Sequence, residues 1–420
     1  MWGQYSPYYP ANEYSSPPSS CNITQLQRHG ARYPAHEDAP TYRDAVDKLT
    51  SVTRYHDERL DFLEDYEYNL DEDVLVPLGM RQSWESGYEA FARYGEVIKK
   101  EKTIFLRASD SQRVVDSAVN WTKGFAAASQ SEMAPKIEQL LSEKVNNTLN
   151  NDCPASSDGV AEMNTWLKQF APPIAKRLNT AAPGANLTDE DVFGLMALCP
   201  FESIAMAHAD AESKKKTKAR SKFCALFNDD EWAAFEYHGD VEKYYKTGPG
   251  NKLGPVQGVG YVNELIARLT GTTVRDHTTH NASLPFPLDR TLYADFSHEN
   301  DMVAVYAAMG LFDARDARAP DPRRMPSDGD DGADGRRVWR ASRMVPFSAR
   351  MVVERLECAS DQEGGREAGT CVRVLVNDAL QPLGFCGAEE GERICTLDAF
   401  VKSQEYARGE GQQDFKKCYK

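Results

Sequence analysis

Apolar residues along this chain follow two periods in turn. Short dense runs alternate with longer stretches in which they recur every three or four positions. The segment 22–27 predicts a short strand that delivers the chain to Arg28. "KTIFLRAS" predicts a buried strand, and "RTLYADFSHEND" a strand running into a polar turn. "MVPFSARMVVERLEC" and "CVRVLVND" predict strands rich in β-branched residues. Between them Val46, Leu49 and Val52 predict a helix from Thr41 to about Tyr66. "PLGMRQSWESGYEAFARYGEVI" predicts another, with Met80, Trp84, Tyr88, Phe91 and Tyr94 along one side. "DSQRVVDSAVNWTKGFAAA" follows as a helix capped by Asp110 or Ser111. Val259, Val262, Leu265, Ile266 and Leu269 share one helical face, and "MVAVYAAMGLF" is an apolar helix.

Strands alternating with helices predict an α/β fold over 21–150 and 251–420. Residues 151–250 read as helices separated by polar loops and predict an inserted, mainly α-helical domain. A ligand is expected in the cleft between the two. Residues 1–20, rich in Tyr, Pro and Ser, read as an extended arm. The run "AESKKKTKARSK" and residues 312–338, rich in Asp, Arg, Gly and Pro, read as surface loops, the latter flexible.

Composition narrows the partners. The 420 residues hold 49 Lys and Arg against 64 Asp and Glu, a net charge of −15, which argues against nucleic acid and anionic membrane. No apolar run reaches the length of a transmembrane helix, and the first twenty residues lack the pattern of a signal peptide. The nine cysteines form no metal-finger spacing. Together with five N-x-[ST] sequons, at Asn22, Asn120, Asn146, Asn186 and Asn281, they favour an oxidising, extracellular setting. A monomer is expected.

The candidate chemistry lies in "LQRHGARYP". Arg28 and Arg32 flank His29 and Gly30. Two guanidinium groups crowding an imidazole make sense around an anion, and phosphate suits their paired hydrogen bonds best. Gly30 permits a close backbone approach or a positive φ, and a strand-to-helix loop presents N–H groups to an anion. His29 adds what binding does not need: a neutral imidazole can attack phosphorus and carry the phosphoryl group. A leaving alkoxide needs a proton. "DFSHEND" offers His298 as a phosphate contact and Glu299 as the acid, its pKa raised by nearby phosphate, with Asp295 and Asp301 as alternatives. Of the two arginines in "LRASDSQR", Arg113 is the better phosphate ligand and Arg107 the structural one. The G-x-G in "VQGVGY" has no third glycine at the spacing of a dinucleotide site.

"RHGARYP" with "YADFSHEN" resembles the histidine acid phosphatases, and within them the secreted fungal phytases. "WGQYSPYY", "GPVQGVGYVNELIARLT", "VPFSAR" and "VRVLVND" extend the likeness over nearly the whole chain. The resemblance implies a large α/β domain with a mixed sheet, a smaller helical domain, and a site at their junction. It implies two-step hydrolysis of a small-molecule phosphomonoester such as phytate, without metal or organic cofactor. His29 would be the nucleophile, Glu299 the proton donor, and Arg28, Arg32, Arg113 and His298 the phosphate ligands. It also implies disulfides Cys21–Cys358, Cys153–Cys418, Cys199–Cys224 and Cys386–Cys395, leaving Cys371 as a buried free thiol. Three features depart from the family. Glu299 stands where fungal members usually carry Asp. After "RYP", where fungal phytases usually place substrate-gripping lysines, "AHEDAPTYRDA" holds acids and no lysine, and near Tyr244 there is one lysine, Lys243, preceded by Glu242, which the resemblance implies as a substrate contact. The strand before Arg28 is shorter than the family's. Fewer rim cations imply weaker preference for a hexaphosphate over simple monoesters.

Overall fold

A computed structural model describes residues 2–16, 22–101, 103–207, 220–312, 319–326, 337–358, 369–388 and 393–420. The helices and strands that build the site run in this order: β1 (Asn22–Arg28), α1 (Ala39–Thr50), α2 (Pro77–Glu101), β2 (Ile104–Ser109), α3 (Gln112–Ala128), β3 (Gln139–Leu141), α4 (Val160–Ala181), α5 (Asp189–Met206), α6 (Asp229–Lys246), α7 (Gly254–Gln257), α8 (Val259–Thr270), β4 (Leu292–Ser297), α9 (Glu299–Met309), α10 (Ala341–Met344), β5 (Arg350–Cys358), β6 (Gly369–Val376), β7 (Ala379–Leu380) and β8 (Cys395–Thr396). The strands form one mixed sheet in the order β3-β2-β4-β1-β5-β6-β7, with β8 beside β6. β3, β2, β4 and β1 are parallel; β5 joins β1 antiparallel and starts a meander. The expected α/β architecture with a mixed sheet is therefore present.

β1 is the hinge of this order. It pairs on both sides, Ile23 to Arg28 against Leu292 to Ser297 and Asn22 to Gln27 against Arg355 to Arg350. Its apolar side chains Ile23 and Leu26 enter clusters on opposite faces of the sheet. Its polar ones are buried too, with the Gln25 side-chain amide and the Ser86 hydroxyl both donating to the Gln27 side-chain Oε1 at 2.7 Å. A further apolar cluster joins α4, α5 and α6 and includes Tyr42, Val46 and Leu49 of α1. We propose that the sheet region (21–150 and 251–420) and the helical region (151–250) act as two lobes, with α1 packed on the helical side.

Several sequence expectations are corrected. The helix predicted from Thr41 to Tyr66 stops at Thr50; Asp57 then accepts the Arg59 N–H to cap a separate 3-10 segment, Glu58–Asp65. In α2, Met80, Trp84 and Tyr88 are exposed while Phe91 and Tyr94 are buried. The helix turns its small residues to α3: a Cβ on Gly87 would lie 1.9 Å from the Trp121 carbonyl oxygen. "MVPFSAR" is mostly helix and loop, and β5 starts at Arg350. The arm is not merely extended, since Gly3–Tyr5 form a 3-10 turn against α6.

Cys358 is bonded to Cys371, not to Cys21, which lies outside the described residues. The β5–β6 register pairs Leu356 with Cys371 and Cys358 with Gly369, bringing the two cysteine Cα atoms within 5.9 Å on adjacent strands. Cys371 is thus not a free thiol. Cys153–Cys418, Cys199–Cys224 and Cys386–Cys395 are bonded. Among the sequons, Asn22 is buried in β1 with its amide donating to the Arg290 carbonyl, which leaves no room for a glycan in the folded chain. Asn186 and Asn281 are exposed; Asn120 and Asn146 are half-buried with their amides engaged. Most of "AESKKKTKARSK" and residues 313–318 and 327–336 of the predicted flexible loop lie outside the described residues.

Candidate active site

Arg28 and Ser297 are register partners at the C-terminal ends of the parallel strands β1 and β4. The next residues, His29 and His298, therefore emerge side by side, their ring centroids 5.5 Å apart. Arg113 arrives from the first turn of α3, just beyond β2. This edge, where parallel strands give way to loops and helix starts, is the site-forming end of an open α/β sheet. It opens into a cleft of about 740 Å3 whose far wall comes from α4, α5 and α6.

Much of the backbone of "RHGAR" is engaged by the protein. The N–H groups of His29, Gly30 and Ala31 donate to the Ser297 carbonyl, the Ser117 hydroxyl and the Gln82 side-chain carbonyl. These three N–H groups are thus turned to the protein rather than to a ligand. Gly30 serves the protein rather than the ligand: a Cβ there would meet the Gly79 carbonyl oxygen at 2.3 Å, so only glycine lets this loop lie on α2.

His29 is buried, and its Nδ1 lies 2.9 Å from the Gly30 carbonyl oxygen. A carbonyl only accepts, so Nδ1 carries the proton and Nε2 keeps a lone pair. Burial, followed by the Arg28 charge, holds the imidazole pKa well below its usual value. The ring stays neutral in mild acid, the state a nucleophile needs.

Arg28 is wholly buried. It donates from Nη1 to the Gln4 and Val345 carbonyls at 2.5 and 2.7 Å and stacks 4.4 Å over Phe347. Burial lowers its pKa to about 10, which still leaves it charged in acid. Arg32 donates to the Tyr33 carbonyl, and Arg113 lies 3.5 Å from Asp73. Arg28 Nη2, Arg32 Nε and Arg113 Nε are buried N–H groups with no hydrogen-bond partner among the described residues. Orphaned guanidinium donors are costly to leave unmet, so their convergence fits an anion site. His298 is oriented by Glu143, 2.6 Å from its Nε2; Ser109 also donates to this carboxylate. Burial disfavours the Glu143 charge, but His298 and Ser109 prevail and bring its pKa to about 2.

Glu299 sits among cations. Its Oε2 lies 3.0 Å from Arg28 Nε and 3.8 Å from His29 Nε2, and its Oε1 lies 3.6 Å from Lys243 Nζ. Burial opposes its charge, yet Arg28 and Lys243 outweigh that and hold its pKa well below the usual value. These cations favour the ionised carboxyl. Lys243 lines the cleft from a buried position, donating to Glu242 at 2.7 Å and Asn300 at 2.8 Å. The alternative acids separate. Asp295 is locked by Arg107 and Arg268, with Glu264 as a second partner of Arg107. Asp301 lines the cleft, accepts the Asn151 N–H at 2.9 Å, and has its pKa pushed by burial to about 6.

Sequence reasoning missed Gln4, Glu143, Phe347 and Lys246. Gln4 ties the arm to the site, accepting from Arg28 with its carbonyl and donating from Nε2 to Glu242 at 2.7 Å. The density of aromatic residues around it in "WGQYSPYY" was the available signal. Glu143 lies two residues beyond β3, a three-residue strand the pattern did not reveal.

Residues 23–377 match the histidine phosphatase superfamily (branch 2). "Phytase A" of Arthroderma benhamiae is 39% identical, over 99% of this chain and 91% of that protein, and "Phytase A" of Penicillium oxalicum is 37% identical over the same shares. Among solved structures, the phytase from D. castellii superposes with a TM-score of 0.74 at 20% identity, covering 97% of this chain and 85% of that one. The multiple inositol polyphosphate phosphatase of Bifidobacterium longum, in complex with inositol hexasulfate, gives 0.64 at 14% identity, covering 94% and 96%. The structures speak for the fold; the sequence match, spanning both strands that carry the paired histidines, places this chain in the histidine phosphatase superfamily, branch 2.

Proposed function

We propose that this protein releases inorganic phosphate from myo-inositol hexakisphosphate through a phosphohistidine at His29. The observation that carries this reading is the pairing of a neutral, tautomer-fixed imidazole with orphaned N–H groups on three surrounding guanidinium groups. Nε2 attacks phosphorus in line with the ester oxygen while Arg28, Arg32, Arg113 and His298 neutralise the equatorial oxygens. Glu299, once protonated, gives its proton to the leaving alkoxide. As a carboxylate it then takes a proton from the water that frees phosphate and returns Nε2. The relatives named "Phytase A" support the substrate. The disulfides and the exposed sequons Asn186 and Asn281 support an extracellular, glycosylated protein.

One observation favours a broader monoesterase instead. The cleft is lined by the carboxylates Glu37, Asp38, Glu190 and Glu242 as well as by Arg32, Arg113, Lys243 and Lys246. Carboxylates so placed repel a polyanion more than a simple monoester. Measuring kcat/KM for phytate and p-nitrophenyl phosphate across the acid range decides. Phytate is expected to exceed the simple ester by about tenfold or more; the reverse order would establish the broad monoesterase.

A further inference from the structure

We propose that Glu299 occupies the phosphate seat of the free enzyme and that an entering phosphate group must displace it, loading it with the proton it later donates. The proposal deepens the hydrolytic reading above and rests on it.

The geometry leaves little room for both anions. Phosphorus must come close to His29 Nε2 to be attacked, with a phosphoryl oxygen on Arg28. A Glu299 oxygen already stands 3.8 Å from that nitrogen and 3.0 Å from Arg28 Nε. The charged groups around it come from every packed element. Arg28, His29 and Arg32 lie at the end of β1 and in its following loop, Arg113 on α3, and Glu143 beyond β3. Glu242 and Lys243 lie on α6, and His298 and Asp301 at the start of α9. In this seat the carboxylate borrows the cations meant for phosphate, which is why it is ionised. When a phosphoryl group takes Arg28, Glu299 loses its strongest partner and gains an anionic neighbour. Both changes favour its protonated form. One exchange thus admits substrate and arms the acid. In reverse, Glu299 returning to Arg28 as a carboxylate helps expel product phosphate. Side-chain length matters: aspartate is shorter by one C–C bond, about 1.5 Å, and would pull away from Arg28.

Sulfate tests this, because it mimics phosphate yet stays unprotonated in mild acid. Isothermal titration at about pH 5.5, above an ordinary carboxyl pKa, in buffers of differing ionisation enthalpy gives affinity and protons taken up together. Glu299→Asp keeps the charge and is expected to bind sulfate about tenfold tighter than the native protein. The native protein is expected to take up about one proton per sulfate, and Glu299→Gln none. Equal sulfate affinity for the native and Asp forms, or equal proton uptake by the native and Gln forms, would overturn the shared seat. Phosphate release by the native enzyme, assayed alongside, is independent of these outcomes. Its absence would sink the hydrolytic reading, whereas a failed sulfate exchange in an active enzyme would sink only this one.

Discussion

His29→Ala is expected to lower phosphate release from any monoester by about four orders of magnitude or more, with little change in substrate affinity. The ring packs beside His298 and Phe347, and its loss removes the nucleophile. The cradle of Arg28, Arg32, Arg113 and His298 does not depend on it, because Arg28 is fixed by the Gln4 and Val345 carbonyls and His298 by Glu143. Binding of a non-hydrolysed anion by the variant, read by titration, should therefore persist while turnover vanishes. Residual turnover within about a hundredfold of native would mean that water, not His29, attacks phosphorus.

Glu299→Gln is expected to divide substrates by leaving group. An alkoxide needs a proton as the ester bond breaks, whereas p-nitrophenolate departs without one. The glutamine enzyme should lose about 10³-fold in kcat on inositol or alkyl phosphates and about tenfold or less on p-nitrophenyl phosphate. Equal losses would assign the proton to another group, with Asp301 next in line, since it lines the same cleft and burial raises its pKa to about 6. The pH sign follows from the same group. Glu299 must be protonated in the substrate complex, so native kcat on alkyl phosphates is present below its pKa in that complex and lost as pH rises through it. The glutamine variant should lack this alkaline limb. His29 sets no limit on the acid side until pH falls to its own lowered pKa.

The parts of this site that were legible in the sequence are those whose chemistry is written in adjacent residues. Arg28, His29 and Arg32 fall within five positions, and His298 and Glu299 are neighbours, so one strand end each brought His29, Arg32, His298 and Glu299 to the cleft, with Arg28 buried behind Glu299. Their electrostatic state was not legible, because it depends on partners distant in the chain. Glu299 owes its low pKa to Arg28 and Lys243, and Lys243 is drawn inward by Glu242 and Asn300. The same holds for packing. Phe91 and Tyr94 of α2 are buried as the apolar pattern implies, but Met80, Trp84 and Tyr88 are not. Contact with α3 runs through glycines, whose packing leaves no hydrophobic signature. β1 illustrates the converse: glutamines occupy a central strand, with the Gln25 amide and Ser86 donating to the Gln27 side-chain oxygen, a contact no periodicity records. The disulfide between Cys358 and Cys371 was hidden for a related reason, since it follows from the register of β5 on β6.

The covalent step can be observed directly. Rapid mixing with a phosphorus-labelled monoester, quenching in alkali where phosphohistidine survives, and mapping the labelled peptide reads the bond itself. Label on the imidazole of His29, absent after His29→Ala and formed as fast as turnover requires, is the predicted result. A native enzyme that turns over while its His29 peptide stays unlabelled, or is labelled more slowly than product appears, would contradict the account.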